Sequence, residues 1–251
     1  MVRVLILGGT GEARALAAAL DGEPGVEVVS SLAGRVTDPA LPVGQVRIGG
    51  FGGVAGLAAY LSDSKIDAVV DATHPFAATI TAHAAVAVPE SGCPLLILCR
   101  PGWHESDGDR WTRVPDIMAA AALVAARPPG TIFLTTGRRD LAAFAGDSSH
   151  DYVARTVDPP TGALPPRMTL LLDRGPYTVE GETALLRQHN VSVLVTKDSG
   201  GAMTMAKLAA ARDLAVPVVM VDRPPLPAGV RVVETIDAAV QWLVSPGSAE
   251  G

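Results

Sequence analysis

The residues best equipped for chemistry in this chain stand in short loops that directly follow runs of β-forming residues. Gly8-Gly9-Thr10-Gly11-Glu12-Ala13-Arg14 comes after Val2–Leu7 and before an Ala/Leu-rich segment. Glycines at such a turn let the backbone approach a pyrophosphate, whose charge meets the N-terminus of the following helix. Gly9 and Gly11 fit the first two positions of the dinucleotide pattern G-x-G-x-x-G, while its third falls on Arg14. Either Ala13 provides the small residue for close helix packing or the helix sits slightly farther out. A plain tight turn uses the same glycines. The position of this turn, at the first strand of a βαβ series, favours a nucleotide held around Gly9, Thr10, Gly11 and Glu12.

An enzyme that takes NAD usually carries Asp or Glu about 20 residues after the glycines, to hold the ribose hydroxyls. Here that stretch reads Val28-Val29-Ser30-Ser31-Leu32-Ala33-Gly34-Arg35, without a carboxylate. Ser31 can donate to a phosphate oxygen and Arg35 can pair with its charge, with Ala33 between them. That combination favours NADP over NAD; a solvated loop with an incidental arginine is the alternative. The next loop, Ile48-Gly49-Gly50-Phe51-Gly52-Gly53, is costly to order because glycine loses the most conformational freedom. Gly50 and Gly52 suit close approach to a flat ligand or its phosphates, unless the loop is only a connector.

Asp71-Ala72-Thr73-His74-Pro75-Phe76-Ala77 again follows a strand. His74 is therefore a candidate acid at a strand's carboxyl end, with a structural role as the other reading. His83 falls in an apolar helix pattern, and His104, His150 and His189 fall in loops or at a helix end; none of the four is given a role. Thr135-Thr136-Gly137-Arg138-Arg139 and Thr196-Lys197-Asp198-Ser199-Gly200-Gly201 occupy equivalent places later in the chain. Thr136, Arg138, Arg139, Lys197 and Ser199 make a plausible surface for carboxylates or phosphates. Helix-start chemistry explains Ser199 or Asp198 as an N-cap. Paired arginines at a helix start oppose the macrodipole, a conflict that a bound anion would remove. Cys93 and Cys99 have five residues between them, so they form no C-x-x-C motif and are expected to be buried packing.

The elements that position these loops alternate. Strands are expected near Val2–Leu7, Val26–Ser30, Gln45–Ile48, Ala68–Asp71 and Leu95–Leu98. A second series follows near Ile132–Thr135, Tyr152–Thr156, Met168–Leu172, Val191–Thr196 and Val218–Val221. Helical periodicity fills most gaps, including Glu12–Leu20, Phe76–Val88, Asp140–Ala145 and Ala202–Arg212, which is the signature of βαβ units. A register shift of 123 lays Ala72-Thr73 over Val195-Thr196 and Arg100-Pro101 over Arg223-Pro224. Each half closes with a short β-like piece and an Ala-rich helix, Trp111–Ala126 and Val230–Leu243. The expected fold is α/β, with two Rossmann-like parallel-sheet halves forming a cleft. Residues 1–127 and 128–251 would be the two domains, divided at Arg127-Pro128-Pro129-Gly130.

Composition agrees with a globular enzyme: 48% hydrophobic, 18% charged and only 4% aromatic residues leave Ala, Val, Leu and Gly to carry the packing. With net charge −6, nothing in the composition suggests a general nucleic-acid binder. No stretch approaches the roughly 20 apolar residues that span a bilayer, and the first apolar run is too short for a signal core. The expectation is a cytoplasmic protein with a small-molecule partner, no nucleic acid and no membrane, acting as a monomer or small homo-oligomer.

Taken together, Gly8–Ala13, Gly49–Gly53, Asp71–Ala77, Thr136-Gly137-Arg138 and Lys197-Asp198-Ser199-Gly200 resemble the precorrin-6A reductase family across nearly the whole chain, the Asp-Ala-Thr-His-Pro-Phe-Ala string being quite specific. The resemblance implies a two-domain oxidoreductase of cobalamin biosynthesis that reduces precorrin-6A, or its cobalt form, to precorrin-6B with NADPH. Hydride would go to one carbon of a C=C bond and a proton to its neighbour. On that reading the first half holds NADPH through Gly9, Thr10, Gly11, Glu12, Ser31, Ala33, Arg35, Gly50 and Gly52. The second half holds the tetrapyrrole through Thr136, Arg138, Arg139, Lys197 and Ser199. His74 and Lys197 are the catalytic candidates, beside water or a substrate carboxyl, and no metal is implied. Two alternatives stand. A short-chain dehydrogenase would carry Tyr-x-x-x-Lys, but Tyr60, Tyr152 and Tyr177 are followed four places on by Ser64, Thr156 and Gly181. A non-catalytic dinucleotide sensor would have no need of Arg138, Arg139 and Lys197.

Overall fold

The structure is a computed structural model that describes residues 1–34 and 39–244. Among them run twelve strands, in chain order β1 (Val2–Leu7), β2 (Val26–Leu32), β3 (Gln45–Ile48), β4 (Ala68–Asp71), β5 (Leu95–Leu98), β6 (Trp111–Val114), β7 (Thr131–Leu134), β8 (Asp151–Thr156), β9 (Met168–Leu172), β10 (Val191–Lys197), β11 (Val218–Val221) and β12 (Arg231–Val233). The helices are α1 (Gly11–Leu20), α2 (Val54–Asp63), α3 (Ala78–Glu90), α4 (Ile117–Ala125), α5 (Val179–Gln188), α6 (Ala206–Asp213) and α7 (Ile236–Val244). Residues Asp140–Phe144, expected to be helical, form a single 3-10 turn. Helix α6 starts at Ala206, beyond the expected Ala202.

Strands β1 and β4 are near-continuous apolar runs because both of their faces are covered. Val4, Ile6, Val70, Leu96, Leu16 and Leu20 pack on one face, while Leu5, Leu7, Val69, Leu57, Leu61 and Val88 pack on the other. Every strand pairing is parallel, in two six-stranded sheets of order β12-β5-β4-β1-β2-β3 and β6-β11-β10-β7-β8-β9. The two orders are equivalent position by position, as the internal repeat predicts.

The last strand of each series is exchanged. β6 follows β5 in the chain but extends the second sheet beside β11, and β12 follows β11 but extends the first beside β5. The compact units are therefore Met1–Pro101 with Pro225–Gly251, and Gly102–Pro224. The expected boundary between residues 127 and 128 is corrected accordingly: Pro128-Pro129-Gly130 breaks the chain locally, inside one unit. Side chains decide the exchange. Trp103, just past the first crossing, is buried with Phe133, Leu194 and Leu208, and its backbone N–H donates to Asp198 Oδ1 at 2.9 Å. Asp109 holds the same segment by pairing with Arg212 at 3.0 Å. After the return crossing, Ala239 and Leu243 of α7 bury against β1 and α1. Two sheet edges of the same pattern accept either strand, so periodicity alone does not distinguish them.

Leu243→Ala is expected to destabilise by about 2 kcal/mol or more, through lost burial and the cavity left behind. Hydrogen exchange should show the loss of protection in β1, β5 and α1 with β7 and β10 unaffected; the reverse pattern would return α7 to the second unit.

Candidate active site

In the first sheet β1 is central, the chain winds outward through β2 and β3, and then crosses to β4 on the other side. Ligands of such sheets bind at the carboxyl ends of the strands flanking that reversal. Here those ends are Leu7 and Asp71, and Thr10 joins the loops that follow them. Its hydroxyl caps α1 by accepting from Ala13 N at 3.0 Å and donates to Ala72 O at 2.7 Å. The Thr10 side chain is thus spent on positioning, and what it offers a nucleotide is its backbone N–H. Gly9 has φ +111°, a left-handed conformation that favours glycine, and a Cβ there would meet nothing within 4 Å. The space above it is open, as close backbone approach requires. Gly8 does the packing instead, since a Cβ on it would lie 3.3 Å from the Ala13 Cβ. Gly11 opens α1, and Glu12 in its first turn pairs with Arg100 beyond β5 at 2.6 Å. That pairing offsets a negative charge which would otherwise repel a phosphate at the helix start.

Asp71, 2% exposed, organises the next loop. Its Oδ1 accepts from Thr73 N at 3.0 Å and Thr73 Oγ1 at 2.7 Å, and its Oδ2 accepts from Thr81 Oγ1 at 2.6 Å, tying the strand end to α3. His74 is half-buried in that loop, and its Nδ1 accepts from Phe76 N at 3.2 Å. In a neutral ring this places the proton on Nε2, which makes Nε2–H the group able to donate.

Ser31, next to last in β2, lies beside Arg47 of β3, its register partner. Arg47 was not singled out by the sequence reading. Its Nη1 donates to Ser31 Oγ and to Gly49 O, each at 2.9 Å, and its Nη2 donates to Gly50 O at 3.1 Å. The guanidinium lies 3.9 Å from the Phe51 ring centroid, so the loop Gly49–Gly53 is folded around it. Gly50, Gly52 and Ala33 are exposed at this end of the sheet. Arg35 lies outside the described residues. The place of Arg47 two residues before a glycine-rich loop is visible in the sequence, whereas its register opposite Ser31 comes from the fold.

The second unit repeats the arrangement at β7 and β10. Thr135 Oγ1 donates to Val195 O at 3.2 Å, and Lys197 pairs with Asp140. Thr136 is buried with its Oγ1 lacking a partner among the described residues. Arg138 pairs with Asp158 at 3.5 Å, and Arg139 is exposed. Because residues 140–144 make only a 3-10 turn, the macrodipole argument for an anion beside the two arginines does not hold, and Arg138 already has a carboxylate. The N-cap reading of Asp198 or Ser199 is also corrected. Asp198 is buried, with Oδ1 accepting from Trp103 N and Oδ2 paired with Arg113 at 2.8 Å, while α6 begins seven residues after Ser199. Cys93 and Cys99 are half-buried free thiols, less enclosed than expected. No group of side chains able to hold a metal occurs among the described residues, and no helix there is long and apolar enough to cross a membrane.

The model of the precorrin-6x reductase family CbiJ/CobK matches residues 3–244. The chain belongs to that family. It is 55% identical over 244 residues to precorrin-6A reductase of Rhodococcus erythropolis, covering 97% of this chain and 98% of the relative. It is 31% identical over 259 residues to cobalt-precorrin-6A reductase of Priestia megaterium, covering 96% and 98%. A solved CobK precorrin-6A reductase superposes with a TM-score of 0.90 at 45% identity, covering 98% of both chains.

One further group beside the Lys197–Gly201 loop of this reductase escaped the sequence reading. Lys207, on α6, is fully enclosed: its Nζ donates to Thr204 O at 2.7 Å and lies 4.8 Å from the centroid of the Trp103 ring, whose Nε1 donates to Gly201 O. Burial, together with the charge of Arg155 and against that of Glu182, pushes its pKa down to about 7. Between that value and the ordinary 10.5 the unfolded chain retains a proton that the folded chain has released, so this group makes stability rise with pH across that window. At lower pH both states are protonated and the cost of the buried charge is present in full. Urea unfolding near pH 6 and near pH 9.5 should show a smaller pH gain for Lys207→Met than for the wild type; equal gains would mean that the amine is solvated.

Proposed function

We propose that this chain reduces one C=C bond of precorrin-6A, or of its cobalt form, to give precorrin-6B, with NADPH as the reductant. A family of reductases built on two doubly wound sheets needs a reduced nicotinamide cofactor. The observation that carries the choice of NADPH is the end of β2, where Ser31 stands beside Arg47 and no carboxylate occupies the place that binds ribose hydroxyls in NAD enzymes.

The residues fit such a group. Gly9 leaves open space for the pyrophosphate at the start of α1, which Gly11 begins, while Thr10 and Glu12 fix that turn. Ser31, Ala33, Arg35, Gly50 and Gly52 take the adenosine end. NADPH, when bound, supplies hydride to one carbon of the double bond. The protein orients the two partners, excludes water and moves the proton to the neighbouring carbon. Two side chains carry a transferable proton at a strand end: His74 through Nε2–H and Lys197 through its ammonium, which Asp140 holds in place. Thr136, Arg138, Arg139, Lys197 and Ser199 receive the carboxylate side chains of the tetrapyrrole. The Thr136 hydroxyl is buried without a partner among the described residues, so a ligand oxygen would satisfy it. The setting is the cytoplasm.

Purified protein mixed with precorrin-6A should oxidise NADPH at least about tenfold faster than NADH at equal concentration, followed by nicotinamide absorbance alongside the spectrum of the macrocycle. Binding of NADPH without oxidation would make the chain a dinucleotide sensor. Arg138→Ala with Arg139→Ala should raise KM for the tetrapyrrole several-fold to about tenfold while leaving KM for NADPH unchanged; an unaltered KM would assign both cations to the solvated surface.

A further inference from the structure

The geometry points to Arg47 as the residue that selects a 2′-phosphorylated adenosine, holding the phosphomonoester with Ser31 above the Gly49–Gly53 loop. The inference rests on the NADPH reading above and deepens it.

The surroundings of Arg47 differ from those of three other cations at strand ends. Arg100 is paired with Glu12, Arg138 with Asp158, and Lys197 with Asp140. Arg47 is held by three neutral oxygens, the hydroxyl of Ser31 and the carbonyls of Gly49 and Gly50. Its geometry is fixed while its positive charge is left without a carboxylate among the described residues. Stacking on Phe51 at 3.9 Å, with Tyr60 at 5.0 Å, sets the plane of the guanidinium. Both hydrogens of Nη1 are engaged, and so is one on Nη2. A guanidinium has five N–H donors, so a second Nη2 hydrogen and Nε–H remain for an anion.

Ser31 completes the site. A hydroxyl that accepts from a cation still has its own proton to donate. The side chain is buried at the carboxyl end of β2, one strand away from the open glycine turn at Gly9. A phosphate dianion placed there meets a fixed charge and a neutral donor, whereas an unphosphorylated ribose leaves the Arg47 charge unanswered. The preference for the phosphorylated nucleotide follows from that difference.

The test uses the full chain and two probes that differ only in the group concerned, adenosine 2′,5′-bisphosphate and adenosine 5′-monophosphate, with dissociation constants measured calorimetrically. Wild type should bind the bisphosphate more tightly. Arg47→Met should lose about tenfold or more for the bisphosphate and threefold or less for the monophosphate, as expected for a charge-assisted contact. Ser31→Ala, which leaves the loop's arginine in place, should lose the same selectivity to a lesser degree, and it carries the test if the Arg47 variant melts early. Equal losses for both probes would reduce Arg47 to a scaffold of the glycine loop and overturn the inference. Retained selectivity in both variants would overturn it as well while leaving the NADPH reading intact. A wild type that does not distinguish the probes would sink both.

Discussion

Polar backbone groups at the carboxyl ends of the central strands of a parallel sheet have run out of ladder partners, and burying them unpaired costs about 1–3 kcal/mol each. In the first unit the carbonyl of Ala72 is such a group, and the hydroxyl of Thr10 satisfies it at 2.7 Å while also capping α1. That one side chain fastens the turn after β1 to the loop after β4. Asp71 does the same for the other side of the loop by gathering Thr73 and Thr81. With both strand ends satisfied from within, the glycine backbone between them is held open yet rigid, the arrangement that a bound dinucleotide needs if it is not to lose affinity to loop ordering. The position of His74, and the Nε2–H it presents, follow from the same joint.

The exchange of β6 and β12 gives the two units a shared dependence. Each sheet obtains its sixth strand from the other half of the sequence, so neither half of the chain completes a core alone. Trp103 and Leu243 are the residues that make this physical, because each buries an apolar side chain in the unit its strand joins. Asp198 reinforces one crossing from both sides. Its carboxylate holds Trp103 N and Arg113, and its carbonyl accepts from Arg223 at 2.8 Å, immediately before the return. A residue that reads as helix-start chemistry in the sequence is therefore part of the joint on which the tertiary structure turns.

Electrostatic pairing sorts the strand-end cations. Where a carboxylate is within reach, as for Arg100, Arg138 and Lys197, part of the cation's field is answered by the protein and its side chain is held in place. Where only neutral oxygens hold the cation, as for Arg47, the field persists outward. In a chain of net charge −6 that local contrast, rather than overall charge, is what makes an anion site possible.

The sequence by itself determined the alternation of strand and helix, the internal repeat and the family, because period-2 and period-3.6 patterns and glycine turns after strands are local consequences of side-chain placement. It also marked Gly9, Ser31, His74 and Lys197 as strand-end residues. Only the tertiary structure decided which sheet β6 and β12 join, since two equivalent edges attract the same strand and the choice lies in buried contacts distant along the chain. It likewise decided partners. Thr10 was legible as a loop hydroxyl, but its bond to Ala72 spans 62 residues. Arg47 gave no local signal of its bond to Ser31 across the β2–β3 ladder, and Lys207 looks solvated in a helix of ordinary composition until Trp103 folds over it.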